Sequence, residues 1–191
     1  AVLQQQTPEA VVAWLSLDEA DAEPNRFLAY LILALDHAGI ELTHLPRLAI
    51  LQTLDVQPQR TMHNLLQALA RENRSITLLL DDYHLAASPE VGAILGHLLE
   101  QAAPWLHWVI ASRTCPDWPL SRWKAMGRVH EVNARDLTLS LQEARGILGD
   151  ELDANDLSRV HAATEGWAVA VQLARLWRTG NDGAIYGLSA F

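Results

Sequence analysis

The sequence contains a single cysteine, Cys115, among its 191 residues. One thiol cannot form an intramolecular disulfide, and it cannot supply the several thiolates of a structural zinc site. The chain also lacks an apolar run of the ~18 residues that a membrane-spanning helix requires, and its first residues show no charged-then-apolar leader. We therefore expect a cytoplasmic protein with no membrane contact.

Clusters of basic residues are absent as well. Lys and Arg together number 14 against 23 Asp and Glu, so the net charge is −9. Phosphate contacts dominate nucleic-acid affinity, so this chain is a poor candidate for a stand-alone nucleic-acid binder. The eight histidines include no pair at the i, i+4 spacing of a helical metal site, and no Gly-x-Ser-x-Gly nucleophile motif occurs.

What the sequence does contain is an alternation of strand-length and helix-length apolar patterns. Short apolar runs predict strands at 11–17, 76–80 and 108–111, and we expect a fourth, shorter strand at 129–132. Three- and four-residue apolar spacing predicts helices between these strands, at 24–38, 45–54, 59–72 and 89–100. Strands that alternate with helices indicate an α/β fold with a mainly parallel sheet.

The pattern changes after residue 135. Ser140 and Glu143 form a capping-box motif, which predicts a helix at about 141–148. Two further helices follow at 153–164 and 166–178, with no strand between them. We therefore predict an α/β core over 1–135, a small all-helical subdomain over 136–179, and a tail over 180–191 without a clear signal.

The strongest candidate site is the pair Asp81-Asp82, which closes the apolar run Ile76–Leu80. Open parallel sheets bind ligands at the carboxyl ends of their strands. Two carboxylates at such an end can hold Mg²⁺ and orient a water molecule. The alternative is that the aspartates only cap the following turn. We interpret the nearby His84 as a packing or solvent-facing residue.

Two other segments carry candidate chemistry. Ser112-Arg113 follows the next strand, where an arginine could offer bidentate donors to a terminal phosphate. Its alternative is a solvated arginine at a strand end. In Thr164–Ala168, a glycine precedes Trp167, which could provide a stacking face. The alternative there is a helix junction with the tryptophan as core filler.

Four stretches of the sequence are informative through their order and spacing. They are Val12–Asp21 with Phe27–Ile32, Leu78–Leu85, Val109–Arg113 with Trp118–Leu120, and Glu165–Ala168 with Gln172–Ala174. In this order they resemble the MalT-like group of STAND-type P-loop ATPases, which are signal-responsive transcriptional regulators of the LuxR family. The resemblance implies a three-layer P-loop core with a mainly parallel sheet, followed by a helical subdomain.

The resemblance also implies roles for individual residues. Asp81 would be the Mg²⁺-associated Walker B acid, and Asp82 would be the catalytic acid that activates water. Arg113, with Ser112 beside it, would sense the terminal phosphate of ATP. Trp167 falls where related switches carry a Gly-x-Pro element near the adenine, although this chain has Ala168 in place of the proline. ATP or ADP with Mg²⁺ would be the cofactors of the intact protein.

One family feature is missing from the sequence. No Gly-x-x-x-x-Gly-Lys-Ser/Thr phosphate loop occurs, although the family carries it just upstream of the strand that begins here near Val11. The first strand of the sheet would be missing with it, as would the downstream sensor repeats and the helix-turn-helix. We therefore expect a fragment that binds no cofactor by itself, is inactive as an ATPase, and self-associates through open strand edges.

In the intact protein, a small-molecule inducer would bind through the missing C-terminal region, and DNA only through the missing helix-turn-helix. The function predicted from the resemblance is a nucleotide-dependent switch in a transcriptional regulator. One alternative is a STAND ATPase module of a non-transcriptional signalling protein. Another is a degenerate, non-catalytic interaction domain.

Overall fold

The computed structural model describes residues 10–42, 57–72 and 74–180. The helix predicted at 45–54 and nearly all of the tail predicted at 180–191 lie outside the described residues. The chain divides into two compact units, of which the first ends at Pro119 and the second begins at Leu120. Within these ranges, none of the helices combines the length and the apolar composition of a membrane span.

Over its described residues, the first unit contains three strands, a 3₁₀ helix and four α-helices. In chain order they are β1 (Val11–Ser16), the 3₁₀ helix (Glu19–Ala22), α1 (Pro24–His37), α2 (Pro58–Ala70), β2 (Ile76–Asp81), α3 (Tyr83–Ala86), α4 (Pro89–Glu100) and β3 (Leu106–Ile110). The second unit contains only helices among its described residues. They are α5 (Leu120–Ala125), α6 (Leu141–Leu148), α7 (Ala154–Thr164) and α8 (Ala168–Gly180).

The three strands form one parallel sheet in the order β1-β2-β3. Each strand except the last is followed by a helical crossover, which is how parallel strands are joined. The predicted class, an α/β fold with a parallel sheet followed by helices, is confirmed. The sheet places the carboxyl ends of all three strands at one edge, where parallel sheets bind ligands.

The core of the first unit lies on one face of the sheet. Helices α1, α2 and α4 contact one another there, and alternate strand residues point toward them because side chains on a strand alternate between faces. Buried residues that contribute to this core include Leu15, Phe27, Leu78, Leu80 and Leu95. This packing holds β2 in the centre of the sheet and thereby fixes the position of its carboxyl end.

The opposite face of the sheet carries an apolar row. Trp14, Leu79 and Val109 are direct neighbours across the three strands. Leu79 is only 7% exposed, but Trp14 is 53% exposed and Val109 is 42% exposed. The described residues of the first unit form no helical layer over this row.

The second unit has a core of its own. It is built from apolar residues of α6, α7 and α8 and of the turn after α6, namely Ala144, Leu148, Leu152, Leu157, Val160, Val171 and Ala174. Helix α6 begins where the capping box predicted it. The Ser140 side chain accepts a hydrogen bond from the Glu143 N–H, and the Glu143 carboxylate accepts one from the Ser140 N–H. The prediction of consecutive helices in this part of the chain is confirmed.

Three local predictions were wrong or incomplete. Residues 129–132 form no strand, and Val132 is 55% exposed. A short extended segment needs a neighbouring strand to satisfy its backbone, and none of the described strands pairs with these residues. The acidic segment after β1, for which no helix was predicted, is a 3₁₀ helix capped by Asp18. The short helix α3 was not predicted.

Candidate functional site

Asp81 is the last residue of the central strand β2. Its Cα is paired with that of Ser16 on β1, and its carbonyl accepts the N–H of Leu17 at 3.1 Å. Its Oδ1 accepts the N–H of Asp82 at 3.0 Å. That bond fixes the rotamer of a half-buried carboxylate at the carboxyl end of the sheet and engages only one of its two oxygens.

Asp82 adopts a left-handed backbone conformation, with φ 53° and ψ 36°. Asp is among the few residues that tolerate this region, and such outliers concentrate at functional sites. Asp82 precedes the first turn of α3, but its side chain makes no capping hydrogen bond to that helix. Its side chain is 47% exposed. The carboxylate of Asp82 therefore does not cap α3, which was the alternative interpretation of this residue.

The turn after β2 is tied to the end of β3. The Tyr83 N–H donates to the Ala111 carbonyl at 3.0 Å, and the Ala111 N–H donates to the Leu80 carbonyl at 2.9 Å. These bonds extend the contact between the two strands past their ends. They bring the chain at Asp82 and the chain entering Ser112 to the same edge of the sheet.

Ser112 and Arg113 both lie at this edge, but their side chains differ in the bonds that they make. The Ser112 hydroxyl donates to the Thr114 carbonyl at 2.7 Å and accepts the Thr114 N–H at 3.3 Å. A ligand bond to that hydroxyl would have to replace this local turn. Arg113 is exposed and makes no ion pair with another described residue. Its guanidinium is therefore available at the edge that also carries Asp81 and Asp82.

The donor set at this edge fits a magnesium ion bound mainly through its ligand and water. No group of three or more His, Cys, Asp or Glu side chains comes together as a metal site within the described ranges. Mg²⁺ is usually held by one or two carboxylates together with phosphate oxygens and water. Asp81, with one carboxylate oxygen unengaged, suits that limited role, and a site built entirely of protein ligands is not present there.

The carboxyl end of β1 carries an ion pair that the sequence patterns did not reveal. Asp21 is 3% exposed and accepts both the Asp18 N–H at 2.9 Å and the Arg26 Nε–H at 2.8 Å. The hydrogen bond to Asp21 is the largest cause that raises the pKa of Arg26 above its ordinary value. The Arg26 guanidinium also lies 4.8 Å from the centre of the Tyr30 ring. These contacts give the Asp21–Arg26 pair a structural role, because it anchors the turn after β1 to α1.

Trp167 belongs to the second unit. It follows two residues with positive φ, Glu165 at 50° and Gly166 at 69°. A Cβ on Gly166 would lie 2.6 Å from the Leu139 carbonyl oxygen and 2.7 Å from Thr138 Cγ2. The glycine is thus required by close packing, as the helix-junction interpretation expected. The tryptophan is not core filler, because it is 65% exposed.

Two residues beside the aspartates were not recognised from the sequence. Tyr83 is 4% exposed, and burial raises the pKa of its phenol. The His84 side chain is 15% exposed, its Nδ1 lies 3.8 Å from Asp82 Oδ1, and that nitrogen is buried with no hydrogen-bond partner among the described residues. The interpretation of His84 as ordinary packing is therefore incomplete. Its position two residues after Asp82 was the available signal.

No protein-family model matches the chain. The chain is 28% identical over 186 residues to the HTH-type transcriptional regulator MalT of Cronobacter sakazakii, a match that covers 92% of this chain and 20% of that protein. It is 27% identical over 169 residues to MalT of Klebsiella pneumoniae, with 86% and 19% covered. It is 28% identical over 186 residues to MalT of Serratia proteamaculans, with 92% and 20% covered.

The resemblance to MalT-like regulators is therefore confirmed. It extends over nearly the whole chain, from the α/β unit into the helical unit. The chain spans about a fifth of the length of the curated relatives it matches. It is thus similar to one segment of these transcriptional regulators.

Proposed function

We propose that this chain is part of the nucleotide-binding switch of a MalT-like transcriptional regulator, with ATP and Mg²⁺ bound at the carboxyl edge of the sheet. The observation that carries the proposal is the state of Asp82. Its carboxylate stands at the end of the central strand on a left-handed residue, half exposed and without a capping bond. A strained backbone and a half-exposed acid without a capping bond at a ligand-binding edge are features of a functional site.

Each residue at the edge has a distinct task in this proposal. Asp81 holds Mg²⁺, whose charge offsets that of the phosphates when the ion is bound. Asp82 accepts a hydrogen bond from the attacking water and orients it toward the terminal phosphate. Arg113 donates to the oxygens of that phosphate, for which its planar, permanently charged guanidinium is suited. The phosphate loop, which the printed sequence does not contain, would supply most of the phosphate binding.

The proposal can be tested by measuring ATP hydrolysis in a polypeptide that extends upstream of Ala1 and includes the phosphate loop. Asp82→Asn keeps the size of the side chain but removes its basicity. Since a positioned acid or base contributes roughly a hundredfold or more, we expect kcat for ATP to fall by at least that factor. The matched control is Asp36→Asn, an exposed aspartate near the end of α1, which should leave kcat unchanged. Equal activity of both variants would contradict the assignment of Asp82.

The role in transcription is proposed from the relatives, which are named transcriptional regulators. DNA and inducer binding would lie outside this chain. The discriminating observation is the sequence downstream of Phe191. A basic helix-turn-helix there supports a regulator, whereas a different effector domain would favour a non-transcriptional signalling protein.

The exposed apolar row favours a second property, self-association of the isolated chain. We propose that a second copy covers Trp14 and Val109, which are 53% and 42% exposed. The outer edge of β3 pairs with no described strand, and an open edge of this kind promotes association between chains. Sedimentation equilibrium should show a dimer or larger species for the wild type and a weaker association for Trp14→Ser. A monomeric wild type at high concentration would refute this property.

A further inference from the structure

We propose that His84 is a positioning residue that holds the carboxylate of Asp82 in its working orientation. This inference rests on the proposed role of Asp82 as the water-orienting acid. His84 makes no contact with the nucleotide or the reacting atoms in this proposal. It acts through Asp82, and it adds a residue to the site that the sequence patterns did not assign.

The two side chains differ in how firmly they are held. Asp82 is 47% exposed and makes no capping bond, so nothing on its own turn fixes the rotamer of its carboxylate. His84 is 15% exposed and lies on α3 between the buried residues Tyr83 and Ala86. The imidazole is thus the more buried partner, and it can hold the carboxylate of Asp82 in one orientation.

The geometry brings the matching atoms close together. His84 Nδ1 and Asp82 Oδ1 are 3.8 Å apart. A hydrogen bond between nitrogen and oxygen has a length of about 2.9 Å. A rotation of the carboxylate that moves Oδ1 by about 1 Å would therefore form this bond. Nδ1 is buried and has no other partner among the described residues. Burying a polar nitrogen without a partner costs free energy, which favours the rotation.

The backbone conformation explains why the two side chains lie close together. With φ 53° at Asp82, the chain reverses between the strand and α3, and the Leu85 N–H donates to the Asp82 carbonyl at 2.9 Å. This tight turn places the side chain of residue 84 next to that of residue 82. The neighbouring carboxylate has a different partner, since Asp81 Oδ1 accepts the Asp82 N–H at 3.0 Å.

The first test measures the imidazole in the 191-residue chain itself. Donation to Asp82 requires the proton of the neutral ring on Nδ1, and the partner of a histidine sets its tautomer. Long-range ¹H–¹⁵N NMR at about pH 8, where an ordinary histidine is neutral, should show His84 protonated on Nδ1. Asp82→Ala should shift the proton toward Nε2, whereas the control Asp117→Ala should not. A wild-type ring protonated on Nε2, or a tautomer that Asp82→Ala leaves unchanged, would overturn the proposal.

The second test measures ATP hydrolysis in the polypeptide that includes the phosphate loop. His84→Leu fills the space but has no donor, and His84→Asn keeps an N–H near the place of Nδ1. Because a misplacement of about 1 Å can cost up to a hundredfold in rate, we expect His84→Leu to lower kcat about ten- to a hundredfold with little change in KM. His84→Asn should recover most of that loss.

The outcomes separate this inference from the proposed function. Equal kcat losses in His84→Leu and His84→Asn, or a change in KM alone, would overturn the positioning role while the ATPase assignment stands. A wild type without Mg²⁺-dependent hydrolysis would instead overturn the proposed function and, with it, the catalytic part of this inference. The tautomer measurement would then still decide whether His84 and Asp82 are paired.

Discussion

Gly166→Ala is expected to be the most damaging small substitution in the second unit. Gly166 has a φ of 69°, and an added Cβ would lie 2.6 Å from the Leu139 carbonyl oxygen. That oxygen cannot easily move away. Leu139 donates its N–H to the Gly166 carbonyl at 2.9 Å, and its own carbonyl lies 2.7 Å from His161 Nε2.

The magnitude follows from two separate costs. Placing a residue with a Cβ at positive φ costs about 1 kcal/mol or more. Forcing an extra carbon into a closely packed site costs about 1–3 kcal/mol. We therefore expect Gly166→Ala to lower the unfolding free energy of the second unit by about 3 kcal/mol.

Two other glycines of the same unit separate these costs. Gly127 also has positive φ, 67°, but a Cβ there would meet nothing within 4 Å. Gly127→Ala should therefore cost only the backbone term, about 1 kcal/mol. Gly146 lies inside α6, and a Cβ there would also meet nothing within 4 Å. Gly146→Ala should stabilise the unit by about 0.5–1 kcal/mol, because alanine favours the helix.

Urea unfolding gives the free energy of unfolding of all three variants. Amide exchange along α8 probes the stability of the second unit alone. The predicted order of stability is Gly146→Ala, wild type, Gly127→Ala and then Gly166→Ala. If Gly166→Ala were no less stable than Gly127→Ala, the close contact with Leu139 would not exist in solution. The packing described above for the turn before Trp167 would then be incorrect.

Two further predictions concern stability elsewhere in the chain. The Ser140 N–H and hydroxyl donate to the Glu143 carboxylate and lower the pKa of that carboxyl below the ordinary 4.5. Glu143 therefore stabilises the folded state at pH values above 4.5, and this stabilisation is lost as the pH falls through the lower pKa of the folded state. The stability difference between wild type and Glu143→Gln should therefore be present at neutral pH and vanish in acid, and a difference independent of pH would contradict the capping box. In the first unit, Trp118 donates to the Gly92 carbonyl at 3.1 Å and its ring lies 5.1 Å from that of Tyr83. Trp118→Phe should lose about 1 kcal/mol and Trp118→Ala about 3 kcal/mol in urea unfolding, and equal losses would show that the ring contact contributes nothing.

The elements that could be predicted from the sequence are those whose signals are local. Helix α4 begins at Pro89 because Ser88 accepts the Val91 N–H at 3.2 Å. Helix α6 begins at Leu141 because both bonds of its capping box form. Such ends are encoded within a few residues, so the predicted and observed bounds of these two helices agree.

The errors arose where a distant partner decides the structure. The run Val129–Val132 has strand-like residues but no described neighbour to pair with. The 3₁₀ helix at Glu19–Ala22 depends on Asp21, whose burial is made possible by Arg26 in the following helix. A sequence pattern contains the donors and acceptors but not the pairing between them.

The site shows the same division. The carboxyl ends of β2 and β3 could be predicted, and with them the common edge of Asp81 and Arg113. The left-handed conformation of Asp82 could not, because the turn is held by the bond from the Tyr83 N–H to the Ala111 carbonyl of the next strand. The approach of His84 to Asp82 follows from that conformation and was therefore equally inaccessible.

The most direct measurement of the central claim is the melting temperature of the polypeptide that includes the phosphate loop, with and without ATP and Mg²⁺. A ligand at a hundred times its dissociation constant stabilises the folded state by about 2.7 kcal/mol. We expect a rise of several degrees that requires both ATP and Mg²⁺ and that is largely lost in Asp81→Asn. An unchanged melting temperature at saturating Mg-ATP, or an equal rise in Asp81→Asn, would contradict a nucleotide site at the end of β2.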